Sequence, residues 1–143
     1  MGQQMTTYRV RAGTISPGVA EARCKDASIQ FDSSAGQSEV LPGPAELLCA
    51  AFAACLLKNV ERFSHILSFR YRGASVEVTA ERQDAPPRFV RIAYELRVDT
   101  DEPDRRLELL HRNLRRSGTV YNTLAPSCLI DGRILADRKV PGP

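Results

Sequence analysis

The sequence predicts an α+β fold, and three observations carry that expectation. Short alternating runs precede a long apolar stretch, two further alternating runs and an amphipathic stretch follow it, and one more alternating run closes the chain. The 143 residues fit one domain of ordinary size, expected over 1–143 with 136–143 a frayed tail. With 43% apolar and 26% charged residues, the chain can bury a core and remain dissolved.

Residues 8–12 read as a strand running toward the turn signal Ser16-Pro17-Gly18, and 19–24 as a second strand. A third short strand is expected over 28–32, where Ile29 and Phe31 alternate with polar neighbours. The Ser-, Gly- and Pro-rich stretch 33–43 reads as a loop.

A helix is expected over 44–63. Pro44 suits its first turn, where a missing N–H costs nothing, and Glu46 faces the positive end of the helix dipole. Every residue from Leu47 to Leu57 is apolar, so this helix should be buried on all sides. Ala50, Ala51, Ala53 and Ala54 would let another backbone come close. A monomer of this size has little interior for such a helix, so an obligate homodimer with the helix near its centre is expected.

Beyond it, 74–82 and 89–98 alternate and should form an antiparallel pair joined through Ala85-Pro86-Pro87. The run Thr100-Asp101-Glu102-Pro103-Asp104 starts a helix ending near Arg116, with Leu107, Leu110 and Leu114 facing inward. Ser117-Gly118 stops it. Thr119 should cap a short helix over 120–124, and 128–135 reads as the last strand.

Several function classes are excluded on the same grounds. The net charge is only +3, and the basic residues, 17 of them Arg, are interleaved with 17 acids. No nucleic-acid partner is expected from such a distribution. The cluster Arg112, Arg115 and Arg116 complements the C-terminal end of a helix. No apolar run approaches the ~18 residues of a membrane-spanning helix. The N-terminus lacks a basic patch followed by a short apolar stretch, so a cytoplasmic location without membrane association is expected. Cys24, Cys49, Cys55 and Cys128 form no C-x-x-C pair, and only His65 and His111 could join them, so neither a metal centre nor a cofactor is expected.

The helix string P-x-E-L-L-x-A-x-x-x-A-C, followed later by G-T-V-Y-N-T-L, resembles the OsmC/Ohr family, bacterial thiol-dependent peroxidases for organic hydroperoxides. The likeness runs from about Arg23 to the last strand. In the spacing of Asp32, Gly43-Pro44, Glu46 and Cys55 it is closer to the general OsmC-like branch, since the acid of the Ohr branch falls one place earlier, at Ala45. The resemblance implies an intertwined homodimer with antiparallel sheets wrapped around long central helices. It implies a thiolate at Cys55 that attacks an organic hydroperoxide, with Glu46 and Arg23 as the acid and cation that hold it. An unassisted thiol, pKa ~8.5, is mostly protonated at neutral pH; a guanidinium nearby favours the charged form, and a carboxylate fixes the guanidinium. Phe52, Leu56 and Phe63 would then wall a site suited to alkyl peroxides.

One departure stands out against that pattern. Active members carry a second cysteine just before the short helix, where this chain has Gly118. Three readings remain open: a one-cysteine peroxidase served by an external thiol reductant, a substitute cysteine, or a silent protein binding a small apolar ligand. Cys49 lies six residues before Cys55, ~120° around the helix, and a disulfide needs Cα atoms within ~7 Å, so Cys128 is the better substitute.

Overall fold

The computed structural model of the chain describes residues 2–138. The elements are β1 (Arg11–Ser16), β2 (Val19–Cys24), β3 (Ala27–Asp32), α1 (Pro44–Ile66), β4 (Gly73–Asp84), β5 (Pro87–Asp99), α2 (Asp104–Ser117), α3 (Thr119–Leu124) and β6 (Leu129–Asp137). This is the α+β order expected. The chain divides into two compact units, Met1–Leu47 and Leu48–Pro143. No described helix is long and apolar enough to cross a membrane.

The first unit is built on an antiparallel sheet of order β1-β2-β3. Pro17 and Gly18 occupy the centre of the β1–β2 turn, and Gly18 at φ 83 takes a left-handed conformation that a side chain would oppose. The first strand lies later than expected because this turn pairs Ser16 with Val19, which fixes the register from the turn outward. The 33–43 loop is an ordered turn: the Asp32 carboxylate accepts hydrogen bonds from the Ser34 and Ser38 amides, at 2.8 Å each. At the start of α1, the Gly43 amide donates to the Glu46 carboxylate at 3.3 Å, half of a capping box.

The second unit holds a sheet of order β4-β5-β6, with β4–β5 antiparallel and β5–β6 parallel. Parallel neighbours require a crossover, which α2 and α3 supply. Phe52, Leu56, Val60 and Phe63 form one buried stripe of α1, packed with Ile92, Leu96 and Val98 of β5 and Leu107, Leu110 and Leu114 of α2. Each large side chain so buried contributes on the order of 1.5–3 kcal/mol. The single chain covers only that face of α1 and leaves Ala50, Ala51, Ala54 and Leu57 exposed; the all-round burial was expected of a dimer.

Two details differ at the C-terminal side. Thr119 lies inside α3 rather than capping it, because Gly118 takes the extended N-cap conformation and its N–H closes α2 on the Leu114 carbonyl. Pairing with β5 carries β6 through Ala136 and Asp137, the first two residues expected to fray. Residues 139–143 lie outside the described part.

Tyr94 of β5 reaches across β6 over Gly132. A Cβ on Gly132 would sit 2.1 Å from the Tyr94 ring, so glycine is required there for space. The ring also stacks near Phe52, centroids 5.8 Å apart, and its hydroxyl meets His111 Nε2 at 2.6 Å. Burial raises the Tyr94 hydroxyl to about 12 and, with help from the charge of Arg115, lowers the His111 imidazole. Tyr94 therefore donates and neutral His111 accepts.

Gly132→Ala is expected to destabilise the fold by roughly 1–3 kcal/mol through overpacking, read as a lower denaturation midpoint. Because the folded imidazole binds its proton less readily than the unfolded one, stability should fall as pH drops below about 6.5 and through the lower folded value. In His111→Gln that acid-side contribution should vanish from a pH series of melts.

Candidate thiol site

Cys55 is half-buried on α1, on the edge of the stripe that faces the core. One turn on, buried Asn59 directs its amide back at it. Asn59 Nδ2 donates to the Cys55 carbonyl at 2.8 Å and to the sulfur at 3.6 Å. The sulfur thus has a buried amide donor on the same helix face, one turn away.

The loop between α2 and α3 approaches from the other side. A Cβ on Gly118 would lie 3.1 Å from Cys55 Sγ, 3.1 Å from Tyr121 Cβ and 3.3 Å from the Leu114 carbonyl. With φ at −73° the backbone needs no glycine here; what glycine supplies is an open flank beside the sulfur. Buried Tyr121 packs against Phe52, ring centroids 5.8 Å apart, and its hydroxyl accepts from Arg115 Nε at 3.1 Å. That bond holds the Arg115 guanidinium above its ordinary value and anchors it on the same segment as Gly118.

Glu46 and Arg23 belong to the first unit, and each has a partner there. Glu46 caps the helix through the Gly43 amide. Arg23 donates to Glu21 at 2.5 Å, with 78% of its side chain exposed. Phe52, Leu56 and Phe63, expected to wall a site, are instead core residues with 6% exposure or less. Cys128 is a free, half-buried thiol whose hydrogen bond goes to the Leu124 carbonyl at 3.6 Å. Among the described residues no group of His, Cys, Asp or Glu could hold a metal ion.

Sequence reasoning missed Asn59, Arg115 and the Tyr94–His111 pair. The spacing of Asn59, four residues after Cys55, was the one available signal, since such pairs meet on a helix face. The other partners depend on tertiary approach and leave no local trace.

The order of strands and helices, with a long apolar helix bearing a thiol between two three-stranded sheets in sequence, marks out a class of fold. The OsmC family model, described as OsmC-like protein, matches residues 36–131, so the chain belongs to the OsmC-like family. No curated protein matches it in sequence. Among solved structures it is similar to an OsmC-like protein from Mycoplasma pneumoniae, with TM-score 0.84, 15% identity, 93% of this chain and 99% of that chain covered. It also resembles the organic hydroperoxide resistance protein OhrB of Bacillus subtilis, with TM-score 0.64, 14% identity and coverage of 90% and 98%. A third likeness is to an organic hydroperoxide resistance protein OsmC from Legionella pneumophila, with TM-score 0.66, 16% identity and coverage of 96% and 100%.

In a disulfide the Cβ of one cysteine stands about 3 Å from the sulfur of the other. Gly118→Cys is therefore expected to bridge to Cys55 under mild oxidation, with small shifts of Tyr121 and the Leu114 carbonyl to admit the new Cβ. Peptide mapping before and after reduction checks it; a persistent free Cys55 in the oxidised variant would refute the geometry.

Proposed function

We propose that the chain is a thiol-dependent peroxidase for organic hydroperoxides, with Cys55 as its single reactive cysteine. Family membership supplies the class of chemistry. The observation that carries the reading is the half-buried Cys55 sulfur, met by the Asn59 amide at 3.6 Å and flanked by the side-chain-free Gly118.

In this reading the Cys55 thiolate attacks the distal oxygen of ROOH. The O–O bond breaks, an S–O bond forms, and the alkoxide leaves as ROH after taking a proton, leaving a sulfenic acid on Cys55. Sulfur loses two electrons and the peroxide gains them. With glycine at position 118, an external thiol R′SH then displaces water to give a mixed disulfide, and a second thiol releases reduced Cys55 and R′SSR′. Arg23 and Glu46 are assigned, on the family resemblance, as the cation and acid that favour the thiolate.

The reading includes a homodimer. The exposed Ala50, Ala54 and Leu57 recur on one face of α1 at helical spacing, and a second copy of the helix would cover them. Sedimentation should give a dimer at micromolar concentration, and Leu57→Arg should shift it toward monomer; a wild-type monomer at that concentration overturns this part.

Treatment with one equivalent of an alkyl hydroperoxide, followed by sulfenic-acid trapping and mass spectrometry, should label Cys55. Asn59→Leu is expected to slow both this labelling and alkylation at neutral pH by roughly ten-fold, as loss of one hydrogen bond to a charged group would. An unmodified Cys55 in intact wild-type protein would remove the peroxidase reading.

A further inference from the structure

The second unit contains a cavity of about 610 Å³ whose lining does not include Cys55. Its size falls within the ~300–1,000 Å³ typical of small-molecule sites. Leu48 of α1, Phe89 and Ile92 of β5, and Leu124 of α3 make its walls apolar. Three residues with functional groups interrupt them, Arg88, Ser127 and Cys128.

Arg88 differs from its neighbours. On β4, β5 and β6, Arg82 faces Asp84, Arg91 faces Glu81 and Asp131, Arg97 faces Glu95 and Asp137, and Arg133 faces Glu95. Among the described residues Arg88 has no carboxylate partner. Its one anchor is Nη2 donating to the Ser127 carbonyl at 2.8 Å, which ties the side chain to the turn before β6. A guanidinium has five N–H donors, so the remainder of the fork is open for an acceptor.

An apolar cavity beside one tethered, unpaired cation is complementary to an aliphatic chain ending in a single negative charge. No second basic residue lines the cavity, which disfavours a doubly charged phosphate. Arg88 is exposed, so an anionic head could remain partly hydrated at the rim while the chain leaves water. We propose that this cavity binds an aliphatic monocarboxylate. Arg88 takes the carboxylate through paired N–H···O bonds, and the chain lies against Leu48, Ile92 and Leu124.

This site is independent of the chemistry assigned to Cys55, and Cys128 reports on it from within the wall. Decanoate and 1-decanol titrated into the intact protein by calorimetry, with alkylation of each cysteine followed by mass spectrometry, test it. Decanoate should bind and slow Cys128 alkylation while leaving Cys55 alkylation unchanged. Arg88→Gln, a change at an exposed side chain, should weaken decanoate binding about ten-fold and leave decanol binding unaltered. Equal decanoate affinity in the two proteins, or undiminished Cys128 alkylation at millimolar decanoate, overturns the proposal. Cys128 that is shielded without decanoate and becomes reactive on dilution would place a second copy of the chain there instead, and also overturns it.

Discussion

Phe52, Leu56, Val60 and Phe63 recur at helical spacing on α1 and are buried to 6% exposure or less in the core that β5 and α2 share. That packing fixes the rotation of the helix about its own axis. Cys55 and Asn59 lie within the same arc, so the stripe that excludes water also decides where the sulfur points. A small rotation would carry the thiol away from the α2–α3 junction or sink it wholly in the core. The setting of the Cys55 thiol thus depends on apolar contacts made by other residues of the helix.

Polar groups close to this core are satisfied rather than tolerated. Tyr94 meets His111, Tyr121 meets Arg115, and buried Thr100 donates to the Arg70 carbonyl. No buried side-chain nitrogen or oxygen among the described residues lacks a partner. In a low-dielectric interior an unmade hydrogen bond costs more than a made one contributes, so these pairs specify geometry more than they add stability. On the solvent face of the second sheet, Arg91, Arg97 and Arg133 are matched with carboxylates across strands. These three arginines are therefore neutralised locally and do not add a positive field to that face.

Patterns confined to one element were legible in the sequence. The alternation of β4 and β5, the inward triad Leu107, Leu110 and Leu114, and the first-turn position of Pro44 and Glu46 are consequences of local period and backbone chemistry. The position of β1 was not, because the β1–β2 pairing decides it. The role of Gly132 was also hidden, since its reason is an aromatic ring donated by another strand. Of the thiol site, motif spacing singled out Cys55, and the family resemblance drew attention to position 118. The approach of Gly118 to the sulfur and the clasp of Arg115 on Tyr121 required three-dimensional packing.

The parallel pairing of β5 with β6 carries a consequence for how the chain reaches its native state. Arg91 aligns with Leu129 and Asp99 with Asp137, so every rung of this ladder joins residues 38 apart in sequence. The hairpin of β4 and β5 can zip from its own turn, but β6 has no such local start. Two helices must first span the sheet and shorten the intervening chain, and only then is the entropy of closure small enough for the third strand to dock. Wherever β6 is not docked, one edge of β5 presents unpaired N–H and C=O groups that another strand could meet.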